Sequence, residues 1–129
     1  LSDYAGQNVI LYFYPKDDTP GCTKESIGFT ESIDSFKAKN TVILGISKDS
    51  VESHLKFCNK YKLKVDLLSD PDLKMIEEYG VWQEKKNYGK TYMGIVRSTY
   101  LINAEGIIEK VWENVRVNGH VDAVLEAIT

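Results

Sequence analysis

Two continuous apolar runs constrain this chain more than any other feature. Residues 9–14 read Val-Ile-Leu-Tyr-Phe-Tyr and residues 41–47 read Thr-Val-Ile-Leu-Gly-Ile-Ser, with no charged side chain in either run. Strands without an alternation of apolar and polar residues are buried on both faces, as in the middle of a parallel or mixed sheet. Between them, Thr19 followed by Pro20 predicts the start of a helix that continues to about Ala38. The chain therefore begins as strand, helix and strand, the repeating unit of an α/β fold.

The remaining elements alternate in the same way until a hairpin completes the sheet. Ser50 predicts the cap of a helix that carries Val51, Leu55 and Cys58 on one face. The elements after it are a strand at 64–68, a helix from Asp70 to near Gly80, an irregular polar loop at 83–95, paired strands at 98–102 and 107–112, and a final helix after Gly119. This order predicts a mixed central sheet flanked by helices. It matches a thioredoxin-like fold with an insertion between the second and third strands.

Length, charge and cysteine content exclude several classes of protein. A chain of 129 residues with 43% hydrophobic residues fits one globular domain, spanning residues 1–129. The net charge of -3, without a basic stripe, argues against nucleic acid as a partner. No apolar run approaches the roughly 20 residues of a membrane span, so no membrane partner is expected. Two cysteines and the lack of a signal-peptide pattern predict a reducing compartment, most simply the cytoplasm.

Cys22 is the strongest candidate for a reactive side chain. It follows Pro20 by two residues and so falls in the first turn of the predicted helix, where free backbone N–H groups and the helix dipole stabilise a thiolate. The preceding strand places it at the carboxyl edge of the sheet, where ligands of α/β proteins bind. A buried cysteine that only packs is the alternative. The polar residues around Cys22 favour the reactive interpretation.

The segment 14–25, Tyr-Pro-Lys-Asp-Asp-Thr-Pro-Gly-Cys-Thr-Lys-Glu, resembles the active-site signature of peroxiredoxins. Pro15, Thr19 and Cys22 match its three fixed positions. The segment as a whole is similar to the bacterioferritin comigratory protein or peroxiredoxin Q subfamily. The stretches 80–82, 88–102 and 118–120 resemble that subfamily as well. Its members usually begin with a further β-hairpin, which we expect to be missing before Leu1.

The resemblance implies a role for each matched residue. Cys22 would attack a peroxide oxygen and become a sulfenic acid. Thr19 would offer its hydroxyl to the thiolate and the peroxide, and Pro15 would shield the thiolate from water. Arg97 opens a strand predicted to lie beside the first one, so its guanidinium would reach Cys22 and stabilise the thiolate. Simpler interpretations are a helix cap for Thr19, a strand terminator for Pro15 and a solvated surface charge for Arg97.

The same resemblance implies a reaction and its partners. The substrates would be hydrogen peroxide and small organic hydroperoxides, reduced without metal, haem, flavin or other cofactor. Reducing equivalents would come from thioredoxin or a similar dithiol protein, and the protein would be a monomer or weak dimer. Glu25 stands at the family's usual acidic or amide position. There it would support the residues that contact the peroxide without contacting the peroxide itself. The alternatives are a peroxide sensor on the same fold and a catalytically inactive interaction module.

The chain departs from the subfamily at the resolving cysteine. Many members carry a second cysteine five residues after the first, and Ile27 occupies that position here. Cys58 is the only other thiol, and two interpretations stay open: it resolves the sulfenic acid, or it fills the core beside Val51 and Leu55. Resolution would require local unfolding to bring the two cysteines together. Without it, an external thiol would attack Cys22 directly.

One further pattern is set aside. His54 and Cys58 are four residues apart on one helix face, a spacing compatible with a metal ion. Two ligands without a second pair are poor evidence for a metal site. A surface histidine is the expectation for His54.

Overall fold

The computed structural model describes residue 4, residues 6–87 and residues 89–128. The strands are β1 (Asn8–Phe13), β2 (Thr41–Ser47), β3 (Asp66–Ser69), β4 (Trp82–Asn87), β5 (Lys90–Ile95), β6 (Ser98–Ile102) and β7 (Ile108–Trp112). The helices are α1 (Pro20–Glu31), α2 (Ile33–Ala38), α3 (Val51–Tyr61), α4 (Lys74–Glu78) and α5 (His120–Ala127). The order agrees with the sequence prediction outside residues 83–95, with the first predicted helix divided at Ser32.

Five strands form one mixed sheet in the order β3-β2-β1-β6-β7. β1 pairs in parallel with β2 and antiparallel with β6, so the most apolar strand lies in the centre. Alternate side chains of β1, and of Tyr14 directly after it, enter two separate cores. Ile10, Tyr12 and Tyr14 pack with residues of α1, α2, α3 and α5, whereas Leu11 and Phe13 pack with residues of α4 and β5. The predicted mixed sheet, buried on both faces, is confirmed.

The prediction of an irregular loop at residues 83–95 is wrong. These residues form an antiparallel hairpin of β4 and β5, in which Trp82 pairs with Ile95 and Asn87 with Lys90. Gly89 has a φ of +77°, a value that turns favour and that glycine adopts without strain. Most side chains along both strands are exposed, so the hairpin lacks the apolar alternation by which strands are recognised in sequence.

The predicted apolar face of α3 is also wrong. Val51 and Leu55 are 65% and 59% exposed, whereas His54 and Phe57 are buried. Cys58 therefore does not fill a core beside Val51 and Leu55. The buried face of α3 carries His54 beside Phe57, and a polar side chain is not counted in an apolar pattern.

Within the described ranges, no helix combines the length and apolar composition that crossing a bilayer requires.

Candidate active site

Cys22 lies in the first turn of α1, at the carboxyl edge of the sheet, as predicted. β1 ends at Phe13, and a short turn leads to Thr19, the N-cap residue of α1, with Pro20 at its first position. The backbone N–H of Thr23 donates to the Thr19 carbonyl at 2.8 Å, which closes the first helical turn. The Cys22 side chain is only 1% exposed. The thiol is therefore enclosed by protein at the start of a helix.

Arg97 contacts Cys22 because of the strand order. β6 runs antiparallel to β1, with Ser98 paired to Phe13, so the residue before β6 lies beside the turn after β1. Arg97 Nη2 donates to Cys22 Sγ at 3.4 Å, and Nη1 donates to Glu25 Oε1 at 2.8 Å. The predicted proximity of Arg97 and Cys22 is confirmed. A fixed cation at this distance stabilises negative charge on the sulfur.

Glu25 is fully buried one turn after Cys22 and carries a perturbed carboxyl group. Burial raises its pKa to about 7, since desolvation outweighs the opposing effects of the Arg97 charge and hydrogen bond. Its second oxygen, Oε2, has no hydrogen-bond partner in the part of the chain that the structure describes. His120 Nε2 is 4.0 Å from that oxygen. The family resemblance implies only a supporting role for Glu25, and nothing in the surrounding sequence indicates its burial.

His120 contributes no positive charge near neutral pH. Burial, and then the nearby Arg97 charge, lower its pKa to about 4. Its Nε2 shares a hydrogen bond of 2.8 Å with Thr99 Oγ1. Arg97 is therefore the cation that faces both Cys22 and Glu25.

Thr19 and Pro15 occupy the turn between β1 and α1. Thr19 is the N-cap residue of α1, as predicted, but its hydroxyl donates to the Lys16 carbonyl at 2.9 Å and makes no side-chain hydrogen bond to the helix. The donated bond fixes the hydroxyl and leaves its oxygen lone pairs as acceptors. Pro15 is half-buried and lines, together with Val96 and Arg97, a cavity of about 470 Å³. The site is therefore bordered by an open cavity on the side of Arg97.

A buried polar network behind the turn was not foreseen from the sequence. Asp17 accepts from the Tyr14 hydroxyl at 2.6 Å and the Ser53 hydroxyl at 2.8 Å, and its other contact is His54 Nδ1 at 2.7 Å. Burial raises the pKa of Asp17, but the bonds from His54, Tyr14 and Ser53 together lower it below its usual value. Burial lowers the pKa of His54, and the bond and charge of Asp17 raise it overall. The prediction of a surface His54 is wrong.

Cys58 lies in the last turns of α3 and is half-buried. Burial, followed by the charges of Asp17 and Asp66, raises the pKa of its thiol. Both cysteines are free thiols. Among the described residues, no group of three or more His, Cys, Asp or Glu side chains could hold a metal ion.

Comparison with known proteins defines the class to which this fold and site belong. Residues 1–111 match the family described as AhpC/TSA. A putative peroxiredoxin Bcp of Coxiella burnetii is 53% identical over 125 residues, covering 97% of this chain and 83% of the relative. Peroxiredoxin Bcp of Bacillus subtilis is 50% identical, covering 99% of this chain and 82% of the relative.

Solved structures agree in fold as well as in sequence. The bacterioferritin comigratory protein of Xanthomonas campestris superposes with a TM-score of 0.95 at 43% identity, covering 99% of this chain and 82% of that one. BcpB of Mycobacterium tuberculosis superposes with a TM-score of 0.83 at 31% identity, covering 99% and 84%. The chain therefore belongs to the AhpC/TSA family of thioredoxin-fold peroxiredoxins, within its Bcp and peroxiredoxin Q subfamily. It is a thiol-dependent peroxidase whose substrate is a peroxide and whose reductant is a thiol.

Proposed function

We propose that Cys22 is the peroxidatic cysteine of this enzyme and that Arg97 activates it. The observation that carries the assignment is the contact of Arg97 Nη2 with Cys22 Sγ at 3.4 Å, in the first turn of α1. The thiolate attacks the outer oxygen of the hydroperoxide, the O–O bond breaks, and the departing oxygen takes up a proton to leave as water or an alcohol. Cys22 is oxidised to the sulfenic acid, and the peroxide is reduced.

Thr19 and Pro15 complete the proposed site from the turn before α1. The Thr19 hydroxyl, held by its bond to the Lys16 carbonyl, presents its oxygen as an acceptor to the protonated peroxide oxygen. Pro15 covers the thiolate without offering a backbone donor that would compete for it. The cavity that Pro15 and Arg97 line borders the site on the side of Arg97 and is the proposed entry for hydrogen peroxide or a small organic hydroperoxide. The Xanthomonas campestris relative is described with an alkyl peroxide reduction activity, which supports organic hydroperoxides as a substrate class.

Cys58 is the proposed resolving cysteine. Two structures of Xanthomonas campestris peroxiredoxin Q have one or the other of two cysteines replaced by serine, and those positions are thirty-six residues apart, as are Cys22 and Cys58. The Cys58 thiol attacks the Cys22 sulfenic sulfur, an S–S bond forms, and the S–O bond breaks. The hydroxyl leaves as water with the Cys58 proton. Thioredoxin or a similar dithiol protein then reduces the disulfide, so two electrons enter per peroxide consumed.

The proposed compartment is the cytoplasm, where a thioredoxin pool keeps dithiols reduced. The protein is proposed to work as a monomer or weak dimer, because both cysteines lie within one chain.

Two measurements test the proposal. One equivalent of hydrogen peroxide is added to the reduced protein and to Cys58→Ser, and intact mass is recorded without reductant. The parent should lose two hydrogens, and the variant should gain one oxygen on Cys22. A gain of oxygen in both proteins would contradict Cys58 as the resolver and indicate an external thiol.

The role of Arg97 is tested by the rate of peroxide reaction. Arg97→Met should slow oxidation of Cys22 about a hundredfold or more, because a preorganised charge is removed from the reacting atoms. Arg116→Met, a change of the chain's other, exposed arginine, is the matched control and should react at the parent rate. Equal rates for Arg97→Met and the parent would refute the assignment.

A further inference from the structure

Two adjacent acidic residues in the turn before α1 hold opposite ends of α3. Asp17 contacts the first turn of α3 through Ser53 and His54. Asp18 contacts its last turn, accepting from Lys60 Nζ at 2.8 Å and from the Tyr61 hydroxyl at 2.6 Å. The turn that leads into Cys22 is therefore attached to both ends of the helix that carries Cys58.

The two attachments differ in burial and therefore in how readily they break. The side chains of His54 and Asp17 are 5% and 4% exposed, whereas those of Lys60 and Asp18 are 59% and 41% exposed. Separating a buried ion pair is strongly unfavourable, but exposed pairs are weak and exchange with water. Helix ends also open before helix centres. α3 should therefore give way at its C-terminal end while its first turn stays attached.

Cys58 lies in the end that gives way. Its carbonyl accepts from the Leu63 N–H at 3.0 Å, the bond that closes the last turn around a left-handed Lys62. While this turn is closed, burial and the Asp17 and Asp66 charges raise the pKa of the Cys58 thiol. Opening the turn exposes the thiol to water and moves it away from Asp17. Opening of the last turn therefore frees the Cys58 sulfur to move and favours its reactive thiolate form.

Asp18 itself is held in an unusual backbone conformation. Its φ is +57°, in the left-handed region that few residues other than glycine adopt. Such conformations persist where surrounding contacts maintain them. The two bonds to the Asp18 carboxylate provide such contacts, directly before Thr19.

We propose that Asp18, together with Lys60 and Tyr61, is a positioning clasp for the resolving step. The clasp keeps the Cys58 end of α3 closed while Cys22 reacts with peroxide, and it must open before the Cys58 thiol attacks the Cys22 sulfenic acid. The attack forms the S–S bond, breaks the S–O bond and releases water. This inference rests on the proposed role of Cys58. It predicts that the strength of the clasp sets how long the sulfenic acid survives.

The test uses variants on α3, each of which removes one of the two donors to Asp18 and keeps the other. Tyr61→Phe removes one hydroxyl and keeps the ring that packs against Phe57, with centroids 5.7 Å apart. Lys60→Met removes the other donor. Lys56→Met is the matched control, because Lys56 pairs with Glu52 on the same helix and does not contact Asp18. Lysine and methionine have similar helix propensities, so the two methionine variants differ mainly in the clasp.

Rapid-quench mass spectrometry after a pulse of hydrogen peroxide gives the rates of sulfenic acid and disulfide formation separately. Tyr61→Phe and Lys60→Met should each form the disulfide about two- to fivefold faster than the parent, the scale of an exposed polar pair. Sulfenic acid formation should stay at the parent rate in both. Excess peroxide should yield less Cys22 sulfinic acid in these variants, and Lys56→Met should match the parent throughout.

Failure of the proposed clasp and failure of the proposed role of Cys58 give different results. If the parent forms the disulfide but Tyr61→Phe and Lys60→Met are no faster than Lys56→Met, the clasp is refuted and Cys58 remains the resolver. If the parent forms no Cys22–Cys58 disulfide, the role of Cys58 is refuted, and the clasp with it. Circular dichroism of each variant before the pulse establishes that its total helix content matches that of the parent.

Discussion

Replacing the buried carboxyl of Glu25 should change how the stability of this protein depends on pH. The Glu25 side chain is inaccessible to solvent, and only one of its oxygens, Oε1, is hydrogen-bonded to Arg97. Burial raises its pKa from 4.5 to about 7 in the folded protein. In Glu25→Gln the amide fills the same space and does not titrate. The comparison of the two proteins therefore isolates the free energy of ionising this one group.

The direction in which stability changes with pH follows from the number of protons bound by the folded and unfolded states. Between pH 4.5 and pH 7 the unfolded chain has released the Glu25 proton, while the folded protein still holds it. Stability therefore falls as pH rises through this window and levels off above the folded pKa. At about 1.4 kcal/mol per pKa unit, the full loss is about 3 kcal/mol. Glu25→Gln escapes this loss, so it should gain about 2–3 kcal/mol relative to the parent between pH 5 and pH 8.

Urea unfolding of the reduced proteins at pH 5 and pH 8 measures this difference. The baseline effect of the substitution, including the altered bond to Arg97, cancels when the two pH values are compared within each protein. Glu126→Gln, a change of an exposed glutamate in α5, serves as the control and should follow the parent at both pH values. Parallel pH dependences for Glu25→Gln and the parent would refute the assignment of a buried, weakly compensated carboxyl group.

Three further substitutions test the packing around the site. In Gly21→Ala the new methyl would lie 2.9 Å from Arg97 Nη2, so stopped-flow oxidation by peroxide should slow about tenfold to a hundredfold without a lower Tm. In Gly45→Ala the methyl would lie 2.6 Å from Tyr12 Cζ, and urea unfolding should show a loss of about 1–3 kcal/mol. His54→Leu should lose about 3 kcal/mol near pH 6. The His54 pKa is raised in the folded state, so protonation of His54 stabilises the parent protein, and this stabilisation is lost as pH rises through that pKa. The loss of stability caused by His54→Leu should therefore be smaller at pH 9.

The chain sequence alone determined the central architecture and the position of Cys22 at the start of a helix. The apolar runs at 9–14 and 41–47 have no polar face to expose, so they must lie inside a sheet covered on both sides. Proline two positions before Cys22 places that thiol in a first helical turn, because proline is tolerated there and not further along. These inferences hold because they depend on local covalent and hydrophobic properties, which neighbouring elements do not reverse.

Tertiary structure alone decided which polar groups are buried. His54 was expected at the surface and is instead paired with Asp17 under the turn before α1, while Val51 and Leu55 on the same helix face water. The apolar period of α3 gives the wrong face because a histidine hydrogen-bonded to a carboxylate is as compatible with burial as a leucine. The burial of a charged or polar side chain depends on a partner distant in the chain. Only the folded arrangement brings that partner within hydrogen-bonding distance.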